Sequence, residues 1–153
     1  MLRFGCCEWL VSDLLRHEGL GGCSVAQRNI DVYEIGKKYD YGSFTVEPVR
    51  LTHDVPNCGY KLNFGSKKAI YITDTAHVRG IEAKNYDLYL VEANYTDEDL
   101  KERIRKKEAE GLYAYERNVA GRHLSKKQCN DFIYANMGPN SRYIYLHEHI
   151  ERE

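Results

Sequence analysis

The chain has 153 residues, of which 42% are hydrophobic, and its 22 basic and 23 acidic residues leave a formal net charge of −1. This length predicts a single domain, 1–153, with a core of its own. The balanced charge argues against a protein that coats nucleic acid, which would need a strong basic excess. It does not exclude a small nucleotide held by a few local groups.

The sequence contains no long apolar run and no recognisable signal peptide, and its five cysteines show no CxxC spacing. These features favour a cytoplasmic protein with free thiols and no membrane association.

Hydrophobic periodicity predicts a mixed α/β fold of about six strands and three helices. The elements are expected at a helix 6–18, strands 30–35 and 44–51, a hairpin turning at 65–67, strands 69–75 and 87–93, helices 96–110 and 126–136, and a strand 143–146. Thr96 and Ser125 are expected to cap the last two helices, because their hydroxyls can accept from backbone N–H groups of the first turn. The residues expected to be buried are Trp9, Leu14, Ile70, Ile72, Leu90, Phe132 and Ile144.

Two polar residues stand at strand ends, one on each side of the predicted hairpin. His53 opens a turn before the hairpin, and Asp74 closes the strand 69–75. Both side chains are expected on one rim of the sheet, where an imidazole and a carboxylate could hold a metal. The alternative is that His53 is an ordinary turn histidine and that Asp74 caps its turn through Asx bonding.

Three further histidines are candidates for the same rim, and a fourth lies close to Asp74 in the sequence. His123 lies just before a predicted helix, where it could face a ligand or be bonded to backbone. His147 and His149 are two residues apart at a strand end, so their side chains point to opposite faces and only one can face the site. We favour His147 over His149. His77 could supply an additional ligand.

Several segments, in this order, resemble the later half of metallo-β-lactamase-fold hydrolases, and the bacterial phosphodiesterase and exonuclease-like branch is the most similar. The matching segments are 52–62, 70–75, 90–95, 121–125 and 143–149. The resemblance implies half of an αββα sandwich, with a mixed sheet and flanking helices. It also implies divalent metal, zinc or manganese, with one ion held by His53 and the other by His147 or His149. In the family, the residue at Asp74 bridges two metal ions and the one at His123 faces the substrate phosphate as donor or general acid.

The family's upstream His-x-His-x-Asp-His cluster, which supplies most of the metal ligands, does not occur in this sequence. The remaining residues would give each metal about two protein ligands, counting the bridging Asp74 twice, whereas a catalytic zinc usually has three and a water. We therefore expect a domain that is N-terminally incomplete relative to the family and that holds metal weakly or not at all. Either a homo-oligomer or a complementary N-terminal chain is expected to cover the apolar sheet face that the missing half would bury.

Two functions from different classes follow from these observations. The first is a metal-dependent hydrolase with a nucleotide or nucleic-acid phosphodiester as substrate, inactive as it stands or dependent on a partner chain. The alternative is a non-catalytic module that sequesters a nucleotide or another phosphate-bearing ligand through helix N-termini and imidazoles. A truncated gene product with no independent role is the third possibility.

Overall fold

The computed structural model describes residues 3–6 and 30–148. The strands are β1 (Arg3–Cys6), β2 (Ile30–Tyr33), β3 (Tyr39–Asp40), β4 (Thr45–Arg50), β5 (Cys58–Phe64), β6 (Lys67–Ile72), β7 (Leu88–Glu92) and β8 (Arg142–Leu146). The helices are α1 (Asp97–Ala109) and α2 (Lys126–Asn136), with a 3₁₀ helix at Tyr115–Gly121 between them. The predicted helix 6–18, with Trp9 and Leu14, lies outside the described residues except for Cys6, which ends β1 instead.

Six strands form one mixed sheet in the order β3-β4-β5-β6-β7-β8. The pairs from β3 to β6 are antiparallel, and β6, β7 and β8 run parallel to one another. Strands β1 and β2 pair in parallel as a separate two-stranded sheet. The predicted α/β class is confirmed. The strand expected at 69–75 ends at Ile72, because Asp74 adopts a positive φ of 57° that turns the chain out of the extended conformation.

Helix α2 covers one face of the sheet and forms the core with it. Ile70 and Ile72 are fully buried as expected, and Phe132 is 6% exposed. The ring of Phe132 lies edge-on to that of Tyr89, with the centroids 6.4 Å apart. Because side chains alternate along a strand, Tyr89 and Val91 of β7 face this core and Leu90 faces the opposite side.

That opposite face is less well covered at β8. Leu90 pairs in register with Ile144 of β8, and Ile144 is 52% exposed while Leu90 is half-buried. The expectation that Ile144 is buried is therefore wrong, and that for Leu90 is not met either, because both side chains lie on the face turned away from α2, which is less covered where β8 ends the sheet.

Close packing at Gly59 brings β5 and β6 together beside the loop that carries His53. A Cβ atom at Gly59 would lie 2.6 Å from the carbonyl oxygen of Tyr71, so no larger residue fits without displacing backbone. At the other end of this hairpin the chain turns at Gly65, whose φ is +74°, as predicted. The register of β5 against β6 therefore positions the loop next to the end of β6.

Two cysteines test the expectation of free thiols. Cys129 is free and buried in the core, and burial raises its pKa to about 12. Cys58 is disulfide-bonded, so the expectation is wrong for this residue. Within residues 3–6 and 30–148, no helix is both long and apolar enough to cross a membrane.

An ion pair links the 3₁₀ helix to α1. The carboxylate of Glu116, only 3% exposed, lies 2.6 Å from the ammonium of Lys107. Burial alone would raise the pKa of Glu116, but the hydrogen bond from Lys107 and the nearby positive charges outweigh it, and the pKa falls below its ordinary value of 4.5.

We expect Glu116→Gln to lower the free energy of unfolding by about 1–3 kcal/mol near pH 7, because Lys107 then loses its charged partner. Since the folded-state pKa is depressed, this contribution is present above about pH 4.5 and is lost as the pH falls through the folded value. Urea unfolding near pH 7 and near pH 3 measures it. The control is Glu108→Gln, which removes an ion pair with Arg117 whose side chains are 43% and 63% exposed. Equal losses of unfolding free energy in Glu116→Gln and Glu108→Gln would contradict the larger stabilising role assigned to the buried ion pair.

Candidate metal centre

Four side chains that can ligate a metal converge at one rim of the sheet. Among the described residues, Asp74, Glu92, His123 and His147 offer ligand atoms that all lie within 4.8 Å of one another. Three of them follow or end β6, β7 and β8, and His123 follows the 3₁₀ helix. Because these three strands are adjacent and parallel, their carboxyl ends meet at the same edge, where α/β sheets commonly bind ligands.

Two of the four residues have left-handed backbone conformations, which are uncommon outside glycine. Asp74 has φ 57° and His147 has φ 51°. An asparagine side chain supports each: the amide of Asn57 donates to the carbonyl of Asp74 at 2.7 Å, and that of Asn94 donates to the carbonyl of His147 at 3.0 Å. Such conformations persist only where the surroundings hold them, and they concentrate at functional sites.

The carboxylate of Glu92 is fully buried and joins the parts of the site. Its Oε2 accepts hydrogen bonds from the backbone N–H of Thr75 at 3.1 Å and of Leu124 at 3.4 Å. Its Oε1 lies 2.5 Å from Nδ1 of His123 and 3.1 Å from Nδ1 of His147. A buried carboxylate without such partners would be very costly. Glu92 is therefore placed to orient the two imidazoles.

The helix cap after His123 fixes this part of the chain. The hydroxyl of Ser125 accepts from the backbone N–H of Gln128, and the Gln128 side chain accepts from the backbone N–H of Ser125, which together form a capping box. The 2.5 Å contact places a proton between the two groups, and with Glu92 ionised and accepting, that proton is on Nδ1 of His123. The other ring nitrogen, Nε2, is thus the one available to ligate a metal ion or to exchange a proton.

The distances separate hydrogen-bonded pairs from pairs that could share an ion. Two ligands of a tetrahedral zinc, each bound at about 2.0–2.1 Å, lie roughly 3.3 Å apart. Nδ1 of His147 and Oδ1 of Asp74 are 3.1 Å apart, which fits two ligands of one ion. The 2.5 Å contact of His123 with Glu92 is too short for that arrangement and is a hydrogen bond.

His53 lies beside this cluster but outside the set of four. Its ring centroid is 5.2 Å from that of His123, and its side chain is 12% exposed. Its Nε2 is buried and has no hydrogen-bond partner among residues 3–6 and 30–148. A buried ring nitrogen of this kind calls for an explanation, and a bound cation is one. The orphaned nitrogen and the mixed carboxylate and imidazole donors fit a divalent metal.

The structure thus brings Asp74, His123 and His147 together, and His53 adjoins them. His149 lies outside the described residues. The ring of His77 is not part of the cluster; its backbone carbonyl accepts from the Thr75 hydroxyl at 2.9 Å.

Sequence reasoning did not assign a role to Glu92, although a signal was present. Glu92 is the only charged residue of β7, and it ends a strand that is otherwise apolar or aromatic. A carboxylate in such a strand must be buried with partners, and His123 and His147 are those partners.

No protein-family model and no curated protein matches the sequence. Solved structures do match the fold. The metallo-β-lactamase fold protein YhfI from Bacillus subtilis is 16% identical with a TM-score of 0.58, over 80% of this chain and 45% of YhfI. Zn²⁺-bound PqqB from Methylobacterium extorquens is 10% identical with a TM-score of 0.61, over 94% of this chain and 49% of PqqB. The chain thus spans about half the length of these two proteins, and over that span it has the metallo-β-lactamase fold.

Proposed function

We propose that the chain carries part of the metal centre of a metal-dependent phosphodiester hydrolase and that a partner chain supplies the missing ligands. The observation that carries the proposal is the convergence of Asp74, His123 and His147 around the buried Glu92. The shared fold supports it, and because the PqqB structure contains Zn²⁺, zinc is the first candidate. Manganese is the second, since carboxylate ligands suit it.

In this proposal Asp74 and His147 would hold one ion, and His53, which lies outside the set of four, would hold a second ion together with Asp74 through its Nε2. When bound, a divalent metal supplies Lewis-acid polarisation of a phosphoryl oxygen and an activated water. Each ion would thus have about two of these protein ligands, counting the shared Asp74 twice, whereas a catalytic zinc usually has three and a water. The centre therefore stays incomplete in the isolated chain.

His123 acts on the leaving group. Glu92 holds its Nδ1, which fixes the ring, and when the ring is doubly protonated Nε2 would give its proton to the departing oxygen while Nδ1–H stays bonded to Glu92. The phosphodiester class, with a nucleotide or nucleic acid as substrate, rests on the sequence resemblance. The cytoplasmic location is inferred from the cysteine pattern and stays a prediction, against which the disulfide at Cys58 counts.

The partner proposal rests on the sheet face opposite α2. Leu90 and Ile144 are cross-strand neighbours on this face, and Ile144 is 52% exposed. An exposed apolar side chain beside a partly buried one leaves contiguous apolar surface of the kind that interaction sites use. A second copy of the chain, or a complementary chain, would bury them next to the metal centre, because Glu92 and Leu146 pair in the same register.

The metal-binding prediction concerns Glu92 and His147. We expect weak zinc binding by the wild type, and a further 10–100-fold loss in Glu92→Gln, because that carboxylate orients two imidazoles. His147→Ala should lose at least as much. Isothermal titration with zinc and a cobalt absorption spectrum measure the affinity. The exposed Glu110→Gln is the control. Identical affinity in all four proteins would contradict the assignment of the site.

The activity prediction concerns the isolated chain. With zinc or manganese added, it should hydrolyse bis-p-nitrophenyl phosphate no faster than the metal in buffer, because too few protein ligands are present. Robust turnover that Asp74→Ala or His53→Ala abolishes would show instead that the site is complete without a separate chain. Inactivity combined with tight binding of a nucleotide would favour the sequestering module.

The association prediction uses the apolar face. Light scattering at micromolar concentration should give the mass of a dimer, and Ile144→Glu should give the mass of a monomer, because a charge would have to be buried. Leu112→Glu, at another apolar side chain that is 56% exposed, is the control and should leave the dimer intact. A monomeric wild type would refute self-association and leave only the complementary chain.

A further inference from the structure

We propose that the free edge of β8 pairs with the same edge of a second copy, antiparallel and centred on Ile144, so that the two sheets join into one. This deepens the association inferred above, because it names the partner and the backbone groups that bind it. It rests on that part of the proposed function and not on the metal centre.

The register of β8 shows which of its backbone groups are free to bind. In the described part of the chain, β8 ends the sheet and pairs only with β7. The N–H of Arg142 donates to the carbonyl just before β7 at 2.8 Å, and the carbonyl of Leu146 accepts from the N–H just after β7 at 2.9 Å. Because alternate residues of a strand bond to the same neighbour, Arg142, Ile144 and Leu146 are bonded to β7. The N–H and carbonyl groups of Tyr143 and Tyr145 therefore point outward from the sheet.

The two edges of the sheet differ in how they are protected. Natural proteins protect an edge strand by making it short, charged or interrupted by proline, because its unpaired backbone groups can pair with another chain. The strand β3, at the other edge, has only two residues, and one of them is the exposed Asp40. The strand β8 has five residues, of which only Arg142 is charged, and its Tyr143 and Ile144 are 39% and 52% exposed. The edge suited to pairing is therefore that of β8.

The charges at the two ends of β8 favour an antiparallel second copy. The strand begins with Arg142, and Glu148 follows two residues after its end; both side chains are exposed. In an antiparallel pair centred on Ile144, Arg142 of each copy is diagonal to Glu148 of the other, and a long side chain can reach it. Glu148 lies 3.8 Å from Lys126 in its own chain, too far for a hydrogen bond, so it can accept from this arginine. Parallel pairing would bring like charges together.

The side chains along the edge are complementary to their own copies. On the face turned away from α2, Ile144 would lie opposite Ile144 of the second copy and cover apolar surface that is exposed in the single chain. On the other face, Tyr143 would lie opposite Tyr145, extending a pair of rings whose centroids are 5.2 Å apart within the chain. Each Tyr143–Tyr145 pair would be a hydrogen-bonded pair, in which both residues exchange N–H···O bonds. The same surface thus serves both copies, as an isologous interface requires.

The first test removes one outward N–H group from each copy. Proline lacks an N–H, and at Tyr143 it leaves the bonds of β8 to β7 intact, because proline is tolerated where the N–H of an edge strand faces outward. Tyr143→Ala is the control, since it removes the same side chain but keeps the N–H. We expect sedimentation equilibrium to give a dimer that is about 10–100-fold weaker in Tyr143→Pro than in Tyr143→Ala, because one hydrogen bond is lost from each copy. Equal dimer affinities in the two variants would overturn the proposal.

The second test needs no variant. Amide hydrogen exchange of the wild type is followed by NMR at concentrations above and below the dimer dissociation constant. The amides of Tyr143 and Tyr145 should exchange slowly only in the dimer, whereas the amide of Ile144, which is bonded to β7, should be slow in both states. A dimer in which Tyr143 and Tyr145 exchange equally fast at both concentrations, as face-to-face packing would give, would refute edge pairing, and so would a monomeric wild type. A dimer with the expected protection that binds no zinc would refute the metal centre and support edge pairing, and a monomer that binds zinc would do the reverse.

Discussion

The carboxylate of Glu92 is buried without any contact with solvent, and the arrangement of the rim follows from the need to pair it. An ionised carboxylate removed from water is tolerated only where hydrogen-bond donors surround it. The donors come from the backbone after β6, the backbone before α2 and the imidazole of His123, and Nδ1 of His147 lies 3.1 Å from the same carboxylate. One carboxylate therefore ties together segments that are far apart in the chain, and removing it would leave the ring of His123 without its hydrogen-bond partner.

The parallel part of the sheet supplies the rest of the arrangement. Strands β6, β7 and β8 deliver three of the four clustered residues to the same edge, and the tight pairing of β5 against β6 at Gly59 places the His53 loop next to them. The antiparallel strands β3 to β5 contribute no ligand to the cluster, but they carry that loop. The positions of the clustered side chains thus depend on the strand register, because a shift of β6 by one residue would move Asp74 away from Glu92.

Local signals in the sequence predicted much of the fold. The hydroxyls of Thr96 and Ser125 cap helices at the expected positions, and Gly65 turns the hairpin, because these features depend on a few neighbouring residues. The exposure of Ile144 depends on its strand lying at the end of the sheet, which a local pattern cannot reveal. The role of Glu92 depends on partners more than thirty residues away. The roles assigned to His53, Asp74, His123 and His147 stay predictions, although the structure places these residues at one rim.

The left-handed backbone at Asp74 and His147 has a consequence for how this chain tolerates sequence change. A non-glycine residue in this conformation costs free energy, which glycine would avoid. A library selected only for thermal stability should therefore enrich glycine or asparagine at both positions, although either replacement removes a ligand atom from the rim. Selection for stability and selection for the site would favour different residues at the same two places, a conflict typical of functional sites.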